Sequence, residues 1–105
     1  MYKIMGITDE VTACDCCGKT NLKRTVVLDN GSGIVHFGVD CAAKAMSRKS
    51  NVIREQADAM RIANNWLAKG YDAKTVASGV WNKLGFQAYV KNNRIIIQGV
   101  GEIEL

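Results

Sequence analysis

The chain contains no proline, no internal repeat and no low-complexity tract, and it has a single histidine among 105 residues. Without proline there is no stiff proline-rich linker, so nothing of that kind separates one part of the chain from another. No stretch approaches the ~18 consecutive apolar residues that a membrane span needs. The first ten residues, from Met1 to Glu10, lack the apolar centre of a secretory signal and end on two acidic side chains. This predicts a cytoplasmic protein. In that reducing compartment the four cysteines stay as thiols, which favours metal binding over disulfides.

Catalytic signals are also scarce. The one histidine, His36, has no evident serine or cysteine partner in the sequence, and no clustered carboxylates suggest acid–base work. Glu102 and Glu104 share one strand face, but near the C-terminus. Gly31-Ser32-Gly33 reads as a hairpin turn rather than a phosphate-binding loop. A zinc ion held by three cysteines and a water is the one route to catalysis that the composition leaves open. The expectation is a protein that is not an enzyme.

Hydrophobic residues make up 48% and charged residues 23%, the balance of an ordinary globular domain. The net charge of +4 divides evenly between the two halves; it permits contact with nucleic acid without demanding it. The order of elements predicts an α+β fold. Residues 2–7 read as a strand, and residues 22–37 as a hairpin turning at Asp29-Asn30-Gly31-Ser32-Gly33, where Asn and Gly accept the positive φ of tight turns. Asp40 is expected to cap a helix through Cys41, Ala42, Ala43, Ala45 and Met46. A second helix is predicted from Ser50 or Asn51 to about Lys69, with Ile53, Ala57, Met60, Ala63 and Leu67 at helical spacing and Gly70 after its end. Asp72 caps a third, to Leu84, with Val76, Val80 and Leu84 inward. Phe86–Val90 and Arg94–Gln98 form a second hairpin around Asn92-Asn93, and Val100–Leu105 an edge strand. Trp66 and Trp81 are expected as core anchors. The polar joint Ser47–Asn51 separates a unit at 1–50 from one at 51–105, the two sharing one core.

The chemistry concentrates between Cys14 and Cys41. Cys14-x-x-Cys17-Gly18-Lys19 has the form of a zinc knuckle: two intervening residues let a tight turn aim both sulfurs at one ion. A helix N-terminus at Cys41 favours its thiolate. Knuckle, hairpin, then a helix with a cysteine in its first turn is a treble-clef-like layout. A full treble clef has another cysteine three residues before Cys41, where Gly38 stands. His36 is the foremost candidate for the fourth ligand, Cys16 the alternative, with Asp40 or water after them. The competing readings are buried thiols, which the polar setting of Cys14-Asp15-Cys16-Cys17 argues against, and a redox Cys-x-x-Cys, which would open a helix where this motif runs into a turn.

The motif Cys14-x-x-Cys17-Gly18-Lys19-x-x-Leu22 … Phe37-Gly38-x-x-Cys41-Ala42-Ala43-Lys44 resembles one found in small phage and prophage proteins that carry a reduced treble-clef zinc element. The resemblance spans residues 14–44. It implies Zn2+ binding by the three cysteines and a phage setting, but no particular activity, and Cys16 is not part of it.

The second half reads in two ways. Two helices and a hairpin make either a small packed core or a helix-turn-helix with a wing, in which the second helix enters the major groove. In the latter, Lys74, Thr75, Ser78, Asn82 and Lys83 face the groove, while Lys69, Lys91 and Arg94 reach phosphates. The sequence thus predicts a small zinc-binding protein that contacts nucleic acid chiefly through Lys74, Lys83, Lys91 and Arg94. The alternative is a phage-encoded adaptor or inhibitor that docks on a host protein, with zinc purely structural.

Overall fold

A computed structural model describes residues 2–105; Met1 lies outside the described residues. The fold is α+β, with two three-stranded antiparallel sheets and three helices. The first sheet has the order β1 (Lys3–Thr8), β2 (Thr25–Asp29), β3 (Ile34–Phe37). In a regular strand, residues three apart point to opposite faces. Yet Ile4 and Ile7 are both buried, because a bulge between Ile4 and Gly6 inserts one extra residue and resets the pleat. Ile4 then lies across from Leu28, and Ile7 across from Val26, all on the core face. Residues 22–24, expected as strand, lie ahead of β2 and are committed to the cysteine loop instead.

The β2–β3 turn closes through side chains. The Asp29 carboxylate accepts from the Gly31 amide at 2.8 Å, and Asn30 Oδ1 accepts from Ser32 and Gly33 at 2.8 and 3.0 Å. Helix α1 (Val39–Met46) starts directly after Gly38, which occupies the cap position. Asp40 therefore stands inside the first turn rather than capping it, and its carboxylate accepts the Ser50 hydroxyl at 2.7 Å, joining α1 to α2 (Ser50–Ala68). The buried row Ile53, Ala57, Met60 and Ala63 recurs with helical spacing and seats α2 on β1. Asn64 reaches Met5, the residue at the bulge, through its carbonyl at 3.4 Å.

Asp72 caps α3 (Ala73–Gly79), accepting from the Thr75 amide at 2.8 Å. The helix continues as a wider π-helical turn over Val80–Leu84 instead of running regularly to Leu84. Val76 and Val80 are buried as the spacing requires. Trp66, half-buried, lies against the backbone of α3 at Gly79. Trp81 differs from expectation: it is 50% exposed. It lies by β4 (Ala88–Lys91), the edge strand of the second sheet, beyond which, among the described residues, no strand pairs to cover it. That sheet continues with β5 (Arg94–Ile97) and β6 (Gly101–Glu104), and the β4–β5 turn holds Asn92 and Asn93 at φ +51° and +61°.

One buried cluster runs from Ile4, Val26 and Leu28 through Ile53 and Met60 to Val76, Ile95 and Ile97. The two sheets meet where β6 passes β1: a Cβ added to Gly101 would lie 2.9 Å from the Ile4 carbonyl oxygen. A Cβ on Gly79 would lie equally close, 2.9 Å, to the Trp66 ring. The two glycines should nonetheless respond differently. Gly101→Ala pushes on paired backbone that cannot step aside, at a cost of about 1–3 kcal/mol. Gly79→Ala meets a side chain that can shift, and gains up to about 1 kcal/mol of helix propensity. Urea unfolding should therefore show the larger loss for Gly101→Ala; an equal or reversed order would contradict this account of the sheet contact.

Candidate metal centre and basic face

The cysteine loop is built by backbone pairing. The Leu22 amide donates to the Thr12 carbonyl at 2.9 Å and the Cys14 amide to the Lys19 carbonyl at 2.8 Å, so the segments flanking the turn run side by side. Gly18 closes the turn at φ +76°, donating to the Cys14 carbonyl at 2.9 Å; a side chain there would be strained. Two hydrogen bonds then fasten the loop to the end of β3: Asp15 N–H to the His36 carbonyl at 2.7 Å, and His36 N–H to the Asp15 carboxylate at 2.8 Å. A third contact, from the Gly38 amide to Cys14 Sγ at 3.2 Å, links the loop to the start of α1. The buried Thr25 hydroxyl, bonded to the Val11 carbonyl at 2.9 Å, ties the loop's first residues to β2.

These constraints bring Cys14, Cys17 and Cys41 together, with their sulfurs all within 4.8 Å of one another and no disulfide between them. Such a group can hold a metal ion. Among the described residues, no fourth ligating side chain belongs to the group. His36 stands outside it: the pleat that buries Phe37 turns His36 to the other face of β3, where its Nδ1 lies 3.9 Å from the Asp15 carboxylate. Asp40 is engaged by Ser50. Cys16 is exposed, but its thiol is near enough to Cys41 to help hold that proton.

The thiols have opposed acidities. Burial pushes Cys14 up, but the amides of Gly38, Cys17 and Cys16 and the Cys41 thiol outweigh it and bring the group down to about 7. Cys41 is pushed up to about 12 by hydrogen bonding to Cys17, by burial, and by Cys14 and Cys16. Sulfurs packed this closely cannot all ionise unless a cation joins them. The groove beside them, about 360 Å³, is lined by Lys19, Lys23, Arg24 and Arg54. These cations come from the loop, from the run into β2 and from α2. No local spacing connects them, so sequence reading passed over them. They offset the negative charge that thiolates would gather.

Of the four residues read as contacting nucleic acid, the fold brings Lys74 and Lys83 to one groove, about 510 Å³, between α3 and the Trp66–Tyr71 corner. Lys91 is exposed at the end of β4, next to the turn. Arg94 is engaged elsewhere, with Glu102 at 3.0 Å and Glu104 at 3.6 Å. Among the described residues, Lys74, Lys83 and Lys91 take part in no ion pair. Among the described residues, no helix is long and apolar enough to cross a membrane. Comparison of the chain with protein-family models, with curated proteins and with solved structures returns no match.

If the three sulfurs take up a metal, thiol protons must leave, so uptake depends on pH. Protonation of Cys14 as the pH falls through about 7 opposes binding, which should strengthen from pH 6 to pH 8. Titration calorimetry in buffers of different ionisation enthalpy should register released protons, and Cys14→Ser, Cys17→Ser and Cys41→Ser should each abolish tight uptake. Binding unchanged by pH or by these substitutions would refute the site.

Proposed function

We propose that the protein is a small zinc-binding, nucleic-acid-binding protein, in which a structural Zn2+ fixes the N-terminal half and the basic α3–hairpin half makes the contact. The observation that carries the metal part is the convergence of three thiols from a knuckle turn and a helix N-terminus. Thiolates bound at ~2.3 Å in a tetrahedral zinc site stand roughly 3.8 Å apart. The sulfurs, within 4.8 Å of one another, need only a small contraction to reach that spacing. Cys14, Cys17 and Cys41 would hold the ion, and Cys16 is the nearest thiol for the fourth place. The order of knuckle, hairpin and helix supports a treble-clef-like reading of this half. It accords with the motif's resemblance to phage proteins and with work in a reducing cytoplasm.

Nucleic acid is favoured by Lys74, Lys83 and Lys91, which among the described residues are in no ion pair and lie on one half of the molecule. Arg94, neutralised by two glutamates, has a smaller part than its sequence position suggested. Three phosphate contacts predict that affinity falls about 20- to 40-fold between 50 and 200 mM salt. Joint reversal of Lys74, Lys83 and Lys91 to Glu should abolish binding measured by anisotropy of a labelled oligonucleotide, while Arg94→Ala should change it little. Salt-independent binding, or none, would overturn the nucleic-acid reading; native mass spectrometry showing no zinc in freshly purified protein would overturn the metal reading separately.

A further inference from the structure

Large aromatic residues half open to water spend only part of their surface on packing, and the exposed ones here gather on the half that carries Lys74, Lys83 and Lys91. Trp81 is 50% exposed, Tyr89 45% and Tyr71 54%. A groove of about 460 Å³ runs between the outer side of α3 with its π-helical turn and the β4 edge, with Trp81 on one bank and Tyr89 and Val90 on the other. Lys74, Ser78 and Asn82 border both this groove and the neighbouring one that holds Tyr71 and Lys83, so the two grooves share a single ridge. The Asn82 side chain donates to the Ser78 hydroxyl at 3.2 Å, which fixes the ridge's polar groups.

Resting on the nucleic-acid reading above, we infer that the ligand of this face is single-stranded, with unpaired bases stacking on Trp81 and Tyr89 while Lys74, Lys83 and Lys91 hold the backbone phosphates. A duplex hides its base faces in its own stack and offers a recognition helix only groove edges and phosphates. Exposed indole and phenol rings gain nothing from those edges, whereas they stack on any unpaired base. The helix is also poorly made for a major groove: regular α3 is seven residues long, and the turn after it is π-helical. Charge decides against an apolar partner, because Lys74 and Lys83 border the two grooves and Lys91 lies exposed at the end of β4, and among the described residues none of the three is in an ion pair. Stacking also explains why Trp81 remains outside a core that has no need of it.

The test uses the full, zinc-loaded chain with a labelled oligothymidine of about 12 nucleotides and a duplex of equal length. The single strand should bind more tightly than the duplex. Trp81→Ala and Tyr89→Ala should each weaken single-strand binding about 5- to 140-fold, the range for loss of one stacked base. Trp81→Phe should restore most of it, and the variants should stay folded at the assay temperature, because about half of each residue is already open to water. Tighter duplex binding, or aromatic substitutions without effect, would overturn this inference and leave the nucleic-acid reading standing. Failure of both strand forms to bind would overturn both and favour the protein-docking alternative.

Discussion

Strand β1 has to satisfy three neighbours at once, and most of the fold follows from how it does so. It pairs with β2 along one edge, lies beneath α2 and meets β6 where Gly101 leaves room for the Ile4 carbonyl. A regular strand could not present both Ile4 and Ile7 to the core. The bulge makes this possible, and the Asn64 side chain reaching the Met5 carbonyl pins it to α2. Because the first sheet is held in this way, its hairpin becomes a stable platform for the cysteine loop.

The sulfur cluster depends on that platform at both ends. Its knuckle is strapped to the last residues of β3 by the two Asp15–His36 bonds, one to the His36 carbonyl and one to the Asp15 carboxylate, while Cys41 arrives on the helix that starts two residues after Phe37. The same short stretch of chain thus sets the distance between the two parts of the site. The Gly38 amide, aimed at Cys14, lowers that thiol despite its burial, and the amides of Cys17 and Cys16 and the Cys41 thiol act in the same direction.

Features encoded locally were legible in the sequence. Both hairpin turns, the Asp72 cap, the apolar row of α2 and the grouping of Cys14, Cys17 and Cys41 all follow from spacing and turn chemistry. What escaped reading was set by tertiary context. Asp40 looked like a cap but lies two residues too late, since Gly38 turns the chain into the helix. Trp81 looked like core, yet its position beside an edge strand leaves it uncovered. Arg94 looked free, but the neighbouring strand supplies two glutamates. The cations around the sulfurs are gathered from distant segments, and no periodicity announces them.

The polar joint at Ser47–Asn51 invites division of the chain there, and the packing shows why such a cut would fail. The apolar side of α2, with Ile53 and Met60, is covered by a strand from before the joint, and that strand also touches β6 at the far end. Removing either portion would expose in the other a surface that has no cover of its own. The molecule is therefore indivisible for engineering purposes: a metal-sensing chimera or a minimal binding fragment would have to carry β1 along with whichever portion was wanted.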